Sequence, residues 1–267
     1  MAGARQPLHG GARLARVFVA VLVGATGLFG AAEPASAAGS WSLAPTVNPL
    51  APPTEVWDAV ACPSASLCLA VGSSNGTVMT AQRWDGTGWS LVPIESSLLS
   101  VYPTFQGMAC ASASSCFAVG GYGYPPSGVL MARWNGTSWS LASAPQPAGA
   151  TVASLSDVSC PSVSFCIATG NYENGGTDLP YSARWNGTSW SVVAMATPAG
   201  ALDADINGVS CVGVSNCVAV GEYTPTSADD QTLIERWNGT VWTIVSSPTP
   251  VSVDNARLAG VSCPSSS

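Results

Sequence analysis

The nine residues ARWNGTSWS at Ala132–Ser140 occur again, letter for letter, at Ala183–Ser191. Two looser copies read QRWDGTGWS at Gln82–Ser90 and ERWNGTVWT at Glu235–Thr243. The motif combines an Asn-x-Thr glycosylation sequon with two tryptophans and an arginine. Because it occurs four times, it is either a site that the chain uses repeatedly or a structural element that every repeat needs.

The motif belongs to an internal repeat of about fifty residues. The first tryptophans of the four copies are 50, 51 and 52 residues apart. Four Cys-x5-Cys pairs keep the same period, at Cys62/Cys68, Cys110/Cys116, Cys160/Cys166 and Cys211/Cys217. A large apolar residue lies five positions before each first cysteine, and LAVG, FAVG, IATG or VAVG follows each second cysteine. Several independent columns agree, so the repeat is established.

Each repeat predicts four short β-strands, which we name a to d. Strand a ends near the first cysteine, strand b runs from the second cysteine to a glycine, strand c ends in Arg-Trp, and strand d begins at the second tryptophan. Four strands in about fifty residues are typical of a β-propeller blade, whereas β-solenoid repeats are usually about half as long or shorter. We therefore predict an all-β fold: a β-propeller-like array of four-stranded antiparallel blades that is not necessarily complete.

The second repeat resembles the kelch-type blades of galactose-oxidase-like propellers. In FAVGGYGY followed by ARWNGTSW, an apolar run meets Gly120-Gly121 and Tyr122, and Trp139 opens the last strand. The other repeats have single glycines at Gly72, Gly170 and Gly221, and Cys-x5-Cys is not a kelch feature. The chain is more similar to the cysteine-bearing WNGTxW repeats of secreted bacterial proteins, many of them without an assigned function. That resemblance covers nearly all of the chain after residue 37 and implies a fold without a reaction.

The cysteine pairs are best explained as disulfides. Cys-x5-Cys differs from the usual Cys-x2-Cys zinc spacing, and no histidine accompanies it. Cysteines paired in every repeat of an exported chain indicate bridges, and neighbouring antiparallel strands can bring them within reach. We expect the bridges Cys62–Cys68, Cys110–Cys116, Cys160–Cys166 and Cys211–Cys217, with Cys263 unpaired and with no metal or cofactor.

The N-terminal residues predict secretion. Three arginines precede the apolar run Val17–Ala32, and Ala35-Ser36-Ala37 offers a cleavage site, which is the order of a signal peptide. The run is shorter than the roughly 20 residues of a membrane-spanning helix; a retained anchor is the alternative. After cleavage, fourteen acidic residues face five arginines and no lysine, for a net charge of −9. Such a surface argues against nucleic acid and anionic membranes as partners.

The predicted boundaries follow the repeat. Residues 1–37 form the signal peptide and residues 38–267 the repeat domain. Within it we expect a leading strand d at 41–48, blades at about 55–97, 103–147, 152–198 and 203–249, and a trailing strand a at 255–267. The leading strand d and the trailing strand a would share one blade of a closed propeller, but strands b and c of that blade are missing. This suggests a truncated member of a longer array, and a genuinely short chain is the alternative.

Two short motif matches are better explained by the fold. Gly72–Gly76 fits the Gly-x-Ser-x-Gly pattern of hydrolase elbows, but it lacks a following helix, and the only histidine, His9, lies in the signal peptide. Asp203–Gly208 matches the start of a calcium loop, but its twelfth position is Val214 instead of glutamate. We expect a loop and a strand respectively, with adventitious calcium at Asp203–Gly208 as the alternative.

The predicted topology separates two faces. In an a-b-c-d meander, the a–b and c–d turns lie on one face, and the b–c loops and the crossings between blades lie on the other. A tyrosine follows the strand-b glycine by two residues in three repeats, and acidic residues are nearby. Aromatic rings beside carboxylates suit a sugar or peptide, although tyrosines that cover blade edges beside solvated acids are the alternative. The candidate ligand-binding residues are Tyr122, Tyr172, Tyr223, Glu173, Asp178, Glu222, Asp229 and Asp230.

These observations favour a binding or scaffolding module for an extracellular glycan or protein over an enzyme. A glycoside hydrolase or lyase that uses two loop carboxylates is the second hypothesis. The sialidase Asp-box is absent, however, and the arginines do not cluster, because four of them hold one repeat column and only Arg257 lies outside it. A non-functional fragment of a longer propeller is the third hypothesis.

Within this scheme the WNGT motif is the turn between strands c and d. Asn-Gly is the favoured pair of a type I′ hairpin, in which both residues have positive φ. In the first copy, Asp85-Gly86 meets the same demand while removing the sequon. We therefore predict that the motif is structural, with its tryptophans packed across the hairpin and its arginine stacked on an indole.

Overall fold

The computed structural model describes residues 55–95, 102–123, 128–225, 229–248 and 255–265. In these segments every regular element is a β-strand, as the sequence predicts. No helix long and apolar enough to cross a membrane occurs in this part of the chain. The predicted signal peptide (1–37) and leading strand (41–48) lie outside the described residues.

The strands form four sheets that follow one another along the chain. The first sheet contains β1 (Glu55–Ser64), β2 (Leu67–Ser74), β3 (Val78–Trp84) and β4 (Trp89–Leu91). The second contains β5 (Pro103–Ser112), β6 (Ser115–Tyr122), β7 (Gly128–Trp134) and β8 (Trp139–Leu141). The third contains β9 (Val152–Ser162), β10 (Phe165–Asn174), β11 (Thr177–Trp185) and β12 (Trp190–Ala194). The fourth contains β13 (Ala201–Gly213), β14 (Asn216–Pro225), β15 (Gln231–Trp237) and β16 (Trp242–Val245).

Each sheet is an antiparallel meander whose strands pair in chain order. The first strands of consecutive sheets contact each other: β1 with β5, β5 with β9, and β9 with β13. This is how the inner strands of neighbouring propeller blades lie. The predicted array of four-stranded antiparallel blades is therefore confirmed, and over the described residues the sheets form an open array, not a closed ring.

The hydrophobic core is divided into three clusters, one between each pair of consecutive sheets. The apolar residue five positions before the first cysteine lies in each cluster. Phe105, Leu155 and Ile206 hold this position and are 3%, 0% and 0% exposed. Burying a side chain of this size contributes roughly 1.5–3 kcal/mol. The periodic apolar column of the sequence is therefore the column that joins each sheet to the one before it.

The repeated glycine of strand b is required by a bulge in strand a. The register between strands a and b shifts beside this glycine, for example between Phe105 and Gly107 and between Ile206 and Gly208. The bulge turns a strand-a carbonyl oxygen towards the glycine, where a Cβ would overlap it. The affected positions are Gly72, Gly120, Gly170 and Gly221.

All four predicted disulfides are present. In each, the Cα atoms are 4.0–4.1 Å apart, slightly closer than the usual range of about 4.4–6.8 Å. The two cysteines of the second and fourth sheets are direct partners across strands a and b. Cys263 is unpaired and partly buried.

The c–d turns differ from the predicted two-residue type I′ turn. Trp134 pairs with Trp139, so four residues form the loop. Gly136 has φ 104°, but Asn135 is not among the residues with positive φ. The Asn135 side-chain oxygen instead accepts hydrogen bonds from the Thr137 amide, the Thr137 hydroxyl and the Ser138 amide, at 2.8–3.0 Å. The prediction was wrong because asparagine acts here as a side-chain acceptor and not as a left-handed backbone residue.

The structural role of the motif is otherwise supported. Asp85 accepts the same set of bonds as Asn135, at 2.7–3.0 Å. The two tryptophans of each copy pack across the hairpin with ring centroids 5.6–5.9 Å apart. The predicted stacking of the arginine on an indole is confirmed for Arg133, which lies over Trp185 of the next sheet, at 5.2 Å, and also over Phe117, at 5.9 Å. Arg133 therefore joins two sheets, whereas Arg184 lies over Phe165 of its own sheet, at 5.6 Å.

The predicted trailing strand a is not a regular strand in its described part, residues 255–265. The segment nevertheless lies along the fourth sheet. The Cys263 amide donates to the Ser210 hydroxyl at 3.0 Å, and the Asn207 side chain donates to the Leu258 carbonyl at 3.0 Å. A strand assignment needs a ladder of backbone bonds, and within the described residues this segment pairs with no strand.

Candidate functional site

Two surface clefts of about 230 Å³ each occupy the same place on consecutive sheets. We call them the third-sheet cleft and the fourth-sheet cleft. The third-sheet cleft is lined by Pro147, Ala148, Tyr172, Leu179, Pro180, Tyr181, Val192, Ala194, Met195 and Thr197. The fourth-sheet cleft is lined by Pro198, Tyr223, Gln231, Thr232, Leu233, Ile244, Val245, Ser246 and Ser247.

The equivalence of the clefts follows from strand register. Tyr172 pairs with Leu179, and Tyr223 pairs with Gln231 at the same point of the fourth sheet. Both clefts are closed on one side by the first residue of a Pro-Ala-Gly-Ala segment that leads into the sheet. The repeat therefore builds the same concave site twice, and each copy contains one tyrosine of the column that the sequence singles out.

The third-sheet cleft has several apolar lining residues and an aromatic wall. The rings of Tyr172 and Tyr181 meet edge to face, with centroids 5.8 Å apart and an interplanar angle of 90°. Tyr181 is 1% exposed, and its hydroxyl has no hydrogen-bond partner in the part of the chain that the structure describes. Burial raises the pKa of this hydroxyl above its ordinary value, and the phenol is neutral.

The fourth-sheet cleft is more polar, and its polar groups are paired with one another. The Tyr223 hydroxyl donates to Gln231 Oε1 at 2.6 Å. The hydroxyls of Thr232 and Ser247 are 2.6 Å apart. Leu233 takes the place that Tyr181 has in the third sheet. The two clefts thus share their position and differ in their chemistry.

Tyr122, the first tyrosine of the column, ends β6 and is 39% exposed. It lies opposite Gly128 on the neighbouring strand, and its ring occupies the space that a side chain at Gly128 would fill. This arrangement matches the alternative in which the tyrosine covers the edge of its blade.

The candidate acids lie mainly where the third and fourth sheets meet. The Asp178 amide donates to Asp203 Oδ1 at 3.0 Å. Desolvation raises the pKa of Asp178, and the neighbouring Asp203 and Glu173 raise it further. Desolvation also raises the pKa of Asp205, with added repulsion from Asp178, Asp203 and Asp230. These groups form an acidic cluster in which ionisation of one carboxyl opposes ionisation of the next.

Two further candidates border this cluster, and a third is exposed. Desolvation raises the pKa of Glu222, while a 2.6 Å hydrogen bond from Asn207 and the charge of Arg257 act in the opposite direction. Asp230 accepts a hydrogen bond from the Thr224 hydroxyl at 2.7 Å. Asp229 is exposed.

The structure separates the tyrosines from the acids instead of placing them side by side. Tyr172 and Tyr223 pack against the clusters that join their sheets to the preceding ones. Glu173 and Glu222 are their neighbours in sequence on the same strands, and successive strand residues point to opposite faces. The aromatic clefts and the acidic cluster are therefore two different surfaces.

Two segments that match other sequence motifs belong to β-hairpins. Asp203–Gly208 lies inside β13, and Gly72–Gly76 runs from the end of β2 into the hairpin turn before β3. In the described ranges, no group of three or more His, Cys, Asp or Glu residues is arranged to hold a metal ion.

Three buried polar residues were not singled out by the sequence. Glu235 is 0% exposed, and burial raises its pKa to about 7. Asp157 is half-buried among backbone groups, and burial raises its pKa to about 6. Strand alternation could have located Glu235. The residue before the motif arginine is buried in the other repeats, for example Ala132 and Ala183, and Glu235 holds the same position before the exposed Arg236. Tyr181 gives no such signal, because its column otherwise contains apolar residues or threonine.

No family model matches the chain, and no curated protein matches it. Among solved structures, it is similar to a fungal lectin from Aleuria aurantia described as a six-bladed β-propeller with a novel fucose recognition mode. The two are 13% identical with a TM-score of 0.50, covering 79% of this chain and 68% of the lectin. The SapL1 lectin in complex with alpha methyl fucoside matches at 13% identity and a TM-score of 0.49, covering 75% and 70%.

A third similar structure is YCF48 bound to D1 peptide, at 13% identity and a TM-score of 0.43, covering 72% of this chain. The chain spans 54% of the length of that protein. The match to the Aleuria lectin supports the propeller fold.

Proposed function

We propose that the chain is an extracellular carbohydrate-binding module whose binding sites are the third-sheet and fourth-sheet clefts. The observation that carries the proposal is the repetition of one cleft, with a tyrosine from one sequence column, on two consecutive sheets. Repeated sites suit glycans, because several weak sites on one molecule bind a multivalent surface with an avidity that a single site lacks.

The size and lining of the clefts favour a single sugar unit as the ligand. Each cleft has a volume of about 230 Å³, below the roughly 300 Å³ at which sites for drug-sized ligands begin. Tyr172 and Tyr223 each offer a ring for the apolar face of a sugar. A peptide would need a longer groove or an open strand edge.

Two further observations agree with the proposal. The Aleuria lectin, which has the same type of fold, is described by its fucose recognition, although one fold hosts many functions and the ligand class rests on the clefts. Four disulfides fit an oxidising compartment and therefore an exported protein.

The test is binding of the purified full chain to an array of glycans, followed by titration of the strongest hits. We expect Tyr172→Ala and Tyr223→Ala each to weaken binding at least about fivefold, because each removes the aromatic wall of one cleft. The matched control is Val241→Ser, a change at a 51% exposed residue in a c–d turn on the opposite face. The control should bind as the unchanged protein does.

Two results would reject the proposal. One is the absence of binding to any glycan by correctly oxidised protein. The other is turnover of a chromogenic glycoside that Asp178→Asn abolishes, because that result would move the function from the clefts to the acidic cluster.

A further inference from the structure

The Tyr181 hydroxyl is the buried polar group of the third-sheet cleft that the protein itself leaves unsatisfied. Tyr181 lines the cleft, is 1% exposed, and has no hydrogen-bond partner for its hydroxyl among the described residues. A buried hydroxyl without a partner is destabilising, because it has lost its hydrogen bonds to water and gained none in the protein. Such groups are uncommon in native proteins and call for a specific explanation.

The fourth-sheet cleft provides the comparison. Its hydroxyls are paired inside the protein, Tyr223 with Gln231 and Thr232 with Ser247. Leu233, at the position of Tyr181, carries no polar atom in its side chain. Of the two clefts, only the third-sheet cleft contains such a hydroxyl among the described residues; Thr80, in the same column of the first sheet, also has a buried hydroxyl without a partner.

We infer that the third-sheet cleft is the selective sugar site of the molecule, and that Tyr181 is the residue that determines its specificity through a hydrogen bond to a ligand hydroxyl. This inference rests on the proposed function and assigns a role within it. A site that offers one buried hydroxyl to a ligand discriminates strongly against sugars that cannot reach it, because the hydroxyl then stays unpaired.

The lining of the cleft defines the class of sugar. Leu179, Pro180, Val192 and Met195 give the cleft an apolar wall. The ligand is therefore a pyranose unit with an apolar edge, such as a 6-deoxyhexose or the axial face of a hexose, that presents one hydroxyl to Tyr181. Anionic sugars are disfavoured, because the described residues that line the cleft include no cationic side chain to pair with them.

The experiment compares Tyr181→Phe with Tyr223→Phe in the full chain. The probes are the methyl glycosides of common hexoses and 6-deoxyhexoses, titrated calorimetrically and by NMR of ring-labelled tyrosines. We expect Tyr181→Phe to weaken the best-bound glycoside about tenfold, which corresponds to about 1.4 kcal/mol. It should leave the melting temperature unchanged or raise it, since the hydroxyl makes no bond in the free protein. Tyr223→Phe should lower the melting temperature, because it removes the hydrogen bond to Gln231. It should leave the NMR signals of the Tyr172 and Tyr181 rings unchanged.

Each result decides a different point. If the unchanged protein binds glycosides and Tyr181→Phe binds them equally well, this inference is wrong and the proposed function stands. If Tyr181→Phe lowers affinity and melting temperature together, Tyr181 has a packing role and the inference is again wrong. If the unchanged protein binds no glycoside, the proposed function fails, and the inference fails with it.

Discussion

Replacing Glu235 with glutamine should remove a pH dependence of stability that this one side chain imposes. Glu235 lies on β15 and is 0% exposed. Its Oε2 atom accepts a hydrogen bond from the Ala196 amide at 3.0 Å, while Oε1 has no partner in the described segments. The charged form is therefore poorly solvated, and burial raises the pKa of Glu235 from 4.5 to about 7. Glutamine reproduces the shape of the neutral acid and keeps an oxygen for Ala196.

The sign and size of the effect follow from linkage. Between pH 4.5 and 7 the folded protein retains a proton on Glu235 that the unfolded chain has lost, so the free energy of unfolding falls as the pH rises. At roughly 1.4 kcal/mol for each pH unit, the loss reaches about 3 kcal/mol at pH 8. Below pH 4.5 both states are protonated and the contribution is fully restored. Glu235→Gln should therefore be about 3 kcal/mol more stable than the unchanged protein at pH 8 and nearly equal to it at pH 4.

The assay is urea unfolding followed by tryptophan fluorescence at several pH values from 4 to 8. The quantity of interest is the difference between the two proteins, because other carboxyls contribute equally to both. A reciprocal variant, Gln82→Glu, puts an acid in the same column of the first sheet, where the side chain is 1% exposed. It should lose stability at pH 8 and much less at pH 4. A difference between Glu235→Gln and the unchanged protein that stays constant from pH 4 to pH 8 would refute this reasoning.

Three other changes test contacts between and within repeats, each by urea or thermal unfolding. Asp157→Ala removes the carboxylate that accepts hydrogen bonds from the amides of Val158 and Val209, and should lower the free energy of unfolding by about 1–3 kcal/mol. Asp157 lies on the third sheet and Val209 on the fourth, so an unchanged unfolding midpoint would show that this bond does not stabilise the contact between the two sheets. Asn186→Ala removes three hydrogen bonds of the c–d turn and should lower the free energy of unfolding by about 1 kcal/mol. Asn186→Asp should be nearly as stable as the unchanged protein, because Asp85 accepts the same bonds in the first repeat. Equal losses in the two variants would contradict the side-chain acceptor role. Replacing the cysteines of one bridge with serine should lower stability by about 2 kcal/mol, since each bridge closes a short loop; no loss would mean that strand pairing alone holds the hairpin.

The repeat and its core could be predicted because they depend on local periodicity. The apolar column that contains Phe105 and Leu155 is visible in the sequence, and the same residues are buried between sheets. The disulfides were predictable for a similar reason, because strands a and b are neighbours in sequence and in space. The glycine after each second cysteine was recognised, but the carbonyl oxygen that requires it becomes visible only with the bulge in strand a.

What the sequence could not provide was the choice between local alternatives. Asn-Gly supports both a left-handed backbone turn and a side-chain acceptor turn, and the second arises here because Thr137 follows with two donors. Tyrosines and acids that are close in sequence were expected to form one site. Strand alternation places Tyr172 and Glu173 on opposite faces, and only the contacts between sheets show which face meets which neighbour. The partner of a hydroxyl such as that of Tyr181 depends on three strands together and has no sequence signature.

The short disulfides also have a consequence for oxidative folding. Eight cysteines can pair in roughly a hundred ways, which makes mispairing a hazard for a chain with four bridges. Here each bridge joins residues six apart in one hairpin, so the correct partner is the first one that a thiolate meets when strands a and b form. Each native bridge therefore closes a shorter loop, at a lower entropic cost, than any bridge between repeats. Because each bridge lies within one repeat, the duplication or deletion of a whole repeat changes the number of bridges without separating any cysteine from its partner.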